Sequence, residues 1–227
     1  MALNIVEKID GAVSIKRVLA SVSDKTGLDP FVRGLLDVNP EVMIYSTGGT
    51  FEAIRSLLGP ERATRNLTSV STYTGQPEMQ GGLVKTLDFK IYLGLLSETY
   101  NPSHAQDLER AGAVPIDMVV VNLYPFAQTI AKAGVTAEAA RTNIDIGGPC
   151  MIRAAAKNYL RTASVTDPAD YSGVLATLRA NGGALPLVQR LTLMKKAFAH
   201  TAAYDKAIAD YFEARAIAEV SGCYQIV

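Results

Sequence analysis

The stretch DMVVVNL, residues 117–123, constrains this chain more than any other. Successive side chains of a strand point to opposite faces, so a strand with one wet face alternates apolar and polar residues. Four apolar residues in a row, Met118 to Val121, leave no face for water. Such a run fits a strand covered on both sides, as in a parallel sheet between helical layers. The preceding sequence agrees. Residues 17–23 (RVLASVS) and 41–46 (EVMIYS) read as strands. Each is followed by a helical pattern: one opening with Asp29 as cap and Pro30 in the first position, one carrying Phe51, Ile54, Leu57 and Leu58 on a single face until Gly59-Pro60 stops it. Strand, helix, strand, helix predicts an α/β domain with a mostly parallel central sheet and helices on both faces, a three-layer α/β/α arrangement.

Further along, residues 134–144 and 149–160 read as helices, with Thr136 and Pro149 near their starts, and residues 161–166 as a strand. Residues 167–183 read as a capped helix ended by Gly182. A long C-terminal helix is predicted from Pro186 to about Ala214, with Val188, Leu191, Met194, Phe198, Ala202, Ile208 and Phe212 as its apolar stripe. Residues 68–82 (TSVSTYTGQPEMQGG) have the least pattern and read as a long functional loop. The expected organisation is an N-terminal extension over 1–16, one domain over 17–214 and a tail over 215–227.

Composition narrows the function classes. The 22 basic and 22 acidic residues cancel, which argues against a dedicated nucleic-acid surface. No apolar run approaches the roughly 18 residues of a membrane span, and the N-terminus lacks the features of a signal peptide. A soluble, cytoplasmic protein is expected. Two cysteines, Cys150 and Cys223, cannot frame a disulfide scaffold, and they form no metal-ligand cluster with His104 and His200. His104 reads as a surface loop residue, His200 as a packed or surface one, Cys150 as a small buried thiol, and MKKAF (194–198) as a solvated helical face.

The chemistry gathers at glycine turns. STGGT (46–50) sits between a strand and a helix. In an open α/β sheet, ligands bind beyond the carboxyl ends of the strands. The first N–H groups of a helix lack internal partners and carry partial positive charge. Gly48 and Gly49 let the backbone come close to a ligand, and Thr47 and Thr50 supply hydroxyls. The stretch is therefore either an anion site, most naturally for a phosphate, or a helix start with glycines in a tight turn. SVSDKTG (21–27) also follows a strand. Its Lys25 either brings positive charge to the same edge or is a solvated surface lysine.

Six strings now occur in order: SVSDKTG, STGGT, YTGQPEMQGGLVKTL (73–87), NLYPF (122–126), IDIGGPCMIRAAAKN (144–158) and KAFAHTAAYD (196–205). Over about Val18 to Phe212 the chain resembles the IMP cyclohydrolase domain of the bifunctional AICAR transformylase/IMP cyclohydrolase family. The resemblance implies a methylglyoxal synthase-like fold, a homodimer, FAICAR as substrate and IMP as product, and no metal or organic cofactor. The stretch after Phe212 is too short for the transformylase portion, so a separate AICAR transformylase is the expected partner. The resemblance assigns the nucleotide site to Ser23, Asp24, Lys25, Thr47, Gly48, Gly49, Thr50, Thr86, Asn122, Ile146 and Gly147. It assigns ring closure to Lys85, Tyr124, Asp145 and Lys157, with Lys157 as the proton-transfer lysine.

The residues alone leave other readings open. Asn122 ends the apolar strand, where a binding amide belongs. Tyr124-Pro125-Phe126 could be an aromatic plug over the core. Asp145 could cap a helix, and Lys157 could complement a helix dipole. The sequence also departs from the family pattern: Leu83 replaces an arginine, Asp88 and Phe89 replace a His-Pro pair, and Tyr92 replaces a second histidine. These changes bear on affinity and activity more than on fold. They keep a non-catalytic purine-nucleotide sensor, or a subunit assembling with a transformylase, as the alternative function. A methylglyoxal synthase-like lyase is a third reading, resting on shared fold alone.

Overall fold

Strand alternation decides which residues go to which face, and the result is visible in a computed structural model, which describes residues 5–77 and 86–227. In chain order the strands are β1 (Ala12–Ser14), β2 (Arg17–Val22), β3 (Met43–Ser46), β4 (Leu67–Ser69), β5 (Met118–Asn122), β6 (Ala163–Val165) and β7 (Ala184–Pro186). The principal helices are α1 (Leu28–Val38), α2 (Gly48–Asn66), α3 (Val70–Thr74), α4 (Phe89–Leu96), α5 (Pro102–Ala111), α6 (Phe126–Ile130), α7 (Ala137–Thr142), α8 (Gly147–Lys157), α9 (Tyr171–Ala180), α10 (Leu187–Glu213) and α11 (Ile217–Ser221). Five parallel strands form the sheet in the order β4-β3-β2-β5-β6. On β2, Val18, Ala20 and Val22 enter one apolar cluster, while Leu19 enters the other. On β5, Met118 and Val120 go one way and Val119 and Val121 the other. Two dry faces explain the unbroken apolar run.

The strand order sets the place of the site. From β2 the chain winds outward through β3 to β4, then returns to add β5 on the other side of β2. The winding direction reverses between β2 and β5, and the loops leaving their carboxyl ends diverge there. That crevice is where open α/β sheets hold ligands.

Several expectations change. Helix α1 begins at Leu28 behind Gly27 in the left-handed region (φ 69°), because glycine reaches that conformation without a Cβ clash. Asp29 does not cap it and instead pairs with Arg33 at 2.6 Å. Gly59 (φ 70°, ψ 171°) breaks α2 as expected, but Pro60 opens a second helical segment that runs to Asn66. The supposed loop after it contains β4 and α3, with Ser69 capping α3 by accepting the Thr72 N–H at 3.1 Å. A three-residue strand is too short to show a period. His104 lies in α5 rather than a loop. Asn101 caps that helix, and His104 Nδ1 accepts the Glu98 N–H at 3.1 Å. Cys150 is half-buried rather than fully buried.

The long helix α10 forms as predicted, but its buried face lies one position over. Arg190, Leu193, Ala197, Thr201, Tyr204 and Tyr211 are buried, Val188 is exposed, and Met194, Phe198, Ile208 and Phe212 flank the seam. Hydrophobicity could not find a face that includes Arg190, which is fully buried. Its guanidinium donates to the carbonyls of Asp10, Tyr159, Leu160 and Leu185. It thereby joins the N-terminal segment, the end of the α8 region and β7. Residues assigned to an N-terminal extension thus include β1, which pairs antiparallel with β7.

Candidate functional site

The STGGT turn divides its labour. Ser46 donates to the Ala20 carbonyl at 2.8 Å and is fully buried. Thr50 accepts the Val22 N–H at 2.9 Å and donates to the Val22 carbonyl at 3.0 Å. The Ser46 hydroxyl ties the end of β3 to β2, and the Thr50 hydroxyl fastens α2 to the end of β2. Thr47 is half-buried, with its Oγ1 3.3 Å from Ser21 Oγ. Gly48 and Gly49 are exposed. The first intrahelical bonds come from Thr50 and Phe51, both to the Thr47 carbonyl at 3.1 Å, so the Gly48 and Gly49 amides have no helical acceptor. An ideal Cβ on Gly49 would lie 3.9 Å from Lys25 Nζ, which places the ammonium over the same turn. Beside it opens a cleft of about 350 Å³ between the β3 and β4 ends, lined by Thr47, Gly48, Phe51, Ser69 and Ser71 among others.

Asn122 is the clip of the next loop. Its Oδ1 accepts the Asp24 N–H and its Nδ2 donates to the Asp24 carbonyl, both at 2.8 Å. The side chain that ends β5 therefore fixes the loop leaving β2, across the point where the winding reverses. Asp24 also accepts the Thr26 N–H at 2.9 Å, and hydrogen bonding from Thr26 holds its carboxyl below the usual range. Ser23 is half-buried in this loop and Lys25 is exposed.

Asp145 is held from three sides. Its Oδ1 accepts the Gly148 N–H at 2.8 Å, its carboxyl lies near the Tyr124 N–H, and its own N–H donates to Tyr204 Oη at 2.7 Å. Burial raises its pKa above the ordinary carboxylate value, against the lowering effect of those two N–H groups on the carboxyl. The adjoining glycines exist for close approach. A Cβ at Gly147 would stand 2.4 Å from Thr86 Oγ1, and one at Gly148 would stand 2.5 Å from Asp145 Oδ2. Thr86 is accordingly buried against the start of α8. The NLYPF motif splits in two. Phe126 is the plug, 1% exposed and edge-on to Tyr204 and Tyr211, whereas Tyr124 is 57% exposed beside Ile146 at 56%.

Ser23, Asp24, Lys25, Thr47–Thr50, Thr86, Asn122, Tyr124 and Asp145 to Gly147 thus share the carboxyl edge of the sheet. Lys157 does not join them. It is exposed at the far end of α8, whose 11 residues span about 16 Å. Next to it, Asn158 donates to Leu95 and Ser97 carbonyls, and Arg161 pairs with Asp117 at 2.9 Å at the amino edge. Lys85 and Leu83 fall outside the described residues. Asp88 caps α4 by accepting the Lys90 N–H at 2.8 Å, Phe89 is exposed, and the buried Tyr92 hydroxyl lies near the Cys150 thiol without hydrogen-bond geometry. Tyr204 escaped the sequence reading. The available signal was its seven-residue spacing from Ala197 on the buried face of α10.

Among the described residues, no group of three or more His, Cys, Asp or Glu could hold a metal ion, and no helix is long and apolar enough to cross a membrane.

Comparison with known proteins gives the lineage. A family model described as MGS-like domain matches residues 27–150, more than half of the chain. One described as AICARFT/IMPCHase bienzyme matches residues 155–226. The bifunctional purine biosynthesis protein PurH of Magnetococcus marinus is 50% identical over 200 residues, covering 88% of this chain and 36% of PurH. PurH of Chlorobium phaeovibrioides is 49% identical over 207 residues, covering 91% of this chain and 38% of PurH. The crystal structure of ForH superposes with a TM-score of 0.74 at 33% identity, covering 88% of this chain and 97% of ForH. The chain spans well under half the length of the PurH relatives. It belongs to the AICARFT/IMPCHase bienzyme family and corresponds to the IMP cyclohydrolase part.

Proposed function

We propose that the chain is an IMP cyclohydrolase acting in purine biosynthesis, closing the second ring of FAICAR to give IMP and water. One observation carries the reading: the desolvated Asp145 carboxyl shares an edge with the Gly48 and Gly49 amides and Lys25. The β3 and β5 ends lie two strand spacings apart, about 10 Å. That matches the reach of a nucleotide from phosphoryl group to base. The phosphoryl oxygens accept hydrogen bonds from the Gly48 and Gly49 amides, with Lys25 supplying opposite charge.

In ring closure the carboxamide nitrogen attacks the formyl carbon and loses one proton, giving a carbinolamine. The formylamino nitrogen then loses the second proton as the C=N bond forms, and the formyl oxygen, having taken up two protons in all, departs as water. Both groups sit on one ring, so holding the planar near-attack conformer supplies much of the acceleration. Asp145, with its raised pKa, is the base that takes the amide proton, a role worth roughly 10²- to 10⁴-fold. The exposed Tyr124 hydroxyl donates to the formyl oxygen as charge develops there. Thr86 and the Gly147 backbone border the base, and Lys85 follows from the family pattern. This reading places Lys157 outside the reacting centre of its own chain. The domain acts as a homodimer in the cytoplasm, with FAICAR supplied by an AICAR transformylase activity.

The test is to incubate the purified chain with FAICAR and follow IMP. Turnover that collapses in Asp145→Asn supports the assignment. A folded protein that binds IMP without turning over FAICAR is instead a nucleotide sensor. That alternative draws on Asp88 and Tyr92, whose polar atoms are engaged in capping α4 and in burial.

A further inference from the structure

One side chain of the long helix touches both loops that carry the reacting groups. Tyr204 is buried on α10. Its hydroxyl accepts the Asp145 N–H at 2.7 Å and reaches the Asn143 carbonyl at 3.4 Å. Its ring meets Phe126 edge-on, with centroids 6.2 Å apart and planes at 69°. Phe126 is two residues beyond Tyr124, whose N–H lies close enough to the Asp145 carboxyl to lower its pKa. The hydroxyl thus holds the Asn143–Asp145 loop and the ring holds the Tyr124–Phe126 loop. We infer that Tyr204 is the positioning residue of the site, setting Asp145 relative to Tyr124 from the buried face of α10. The inference rests on the cyclohydrolase reading for its kinetic consequence, though not for its structural one.

The physical reason is the small number of anchors. Asp145 lies in the short connection between α7 and α8. Its carboxyl bond to the Gly148 N–H fixes the side chain, but its main chain is fixed through the bond to Tyr204. Removing that hydroxyl leaves a buried-edge N–H without an acceptor and lets the loop shift. A displacement on the order of 1 Å can cost about a hundredfold in rate.

Tyr211 provides a matched control. It lies on the same face of α10 and packs edge-on against the same Phe126, with centroids 5.9 Å apart. Its buried hydroxyl has no hydrogen-bond partner among the described residues. Tyr204→Phe and Tyr211→Phe therefore remove the same atom from similar surroundings, but only the first removes a bond to the site.

The experiment measures FAICAR kinetics and amide hydrogen exchange for the native chain and both variants. In Tyr204→Phe, kcat should fall roughly ten- to hundredfold while KM stays within about threefold, since positioning acts on the reacting state more than on binding. The Asp145 and Gly148 amides should exchange faster, with β5 amides unchanged. Tyr211→Phe should match the native chain in both measurements. Native kcat and native exchange at Asp145 in Tyr204→Phe would overturn the inference. So would faster exchange spread evenly over the fold, or equal effects in the two variants. If the native chain does not turn over FAICAR, the functional reading fails, and the exchange pattern alone decides the role of Tyr204.

Discussion

Replacing Asn122 with alanine separates two ideas of what that residue does. The structure makes it a clip: its carboxamide forms two hydrogen bonds with the Asp24 main chain, each at 2.8 Å, from a side chain only 9% exposed. Each bond is worth about 0.5–1.5 kcal/mol net, so Asn122→Ala should cost about 1–3 kcal/mol. The lower part of that range is expected, because Asp24 is exposed and water can replace the lost partners. For a chain of this size, each kcal/mol moves the thermal midpoint by about 2–4 °C. The assay is urea and thermal unfolding without nucleotide, followed by IMP titration. The clip predicts a stability loss in the free protein, together with weaker IMP binding because the Lys25 loop is no longer held. Full stability of the free variant combined with weakened IMP binding would refute this reasoning and make Asn122 a direct ligand contact.

Gly148→Ala would drive a Cβ to within 2.5 Å of Asp145 Oδ2 and 2.6 Å of Leu123 Cδ2. It should cost about 1–3 kcal/mol in urea unfolding and lower kcat by roughly a hundredfold, since the carboxyl must move. Lys157→Ala should leave kcat/KM for FAICAR within about threefold of native, because Lys157 is exposed at the opposite sheet edge. The pH–rate profile should show an acid limb above the ordinary Asp value of 3.8, because a base must be deprotonated and burial raises the Asp145 pKa. In Asp145→Asn that limb should vanish along with most of the activity. The stability sign runs the other way: a raised folded pKa contributes stability below the unfolded value and loses it as pH rises through the folded one, so Asp145 does not promote acid unfolding.

The sheet was readable because β2, β3 and β5 state their burial in consecutive apolar residues, and the helix starts state themselves in Thr136 and Gly48-Gly49. The short strand β4 and helix α3 were not readable, because three or five residues cannot display a period. The α10 face was misplaced because its seam is built from Arg190, Ala197 and Thr201, whose burial depends on carbonyl acceptors and close helix approach rather than on hydropathy. The glycine motifs lie together at the carboxyl edge of the sheet, where the sequence pattern put them. Their division of labour was hidden: Thr50 and Asn122 are fastened to backbone, Phe126 rather than Tyr124 forms the plug, and Tyr204 enters from a distant helix. Those facts depend on tertiary neighbours that local sequence does not name.

The most direct measurement is a crystal structure of the chain with IMP. The phosphoryl group should accept hydrogen bonds from the Gly48 and Gly49 amides beside Lys25, with the base between Tyr124, Asp145 and Gly147. A nucleotide bound at the amino edge near Lys157 and Arg161, with the Gly48–Gly49 turn empty, would contradict the account.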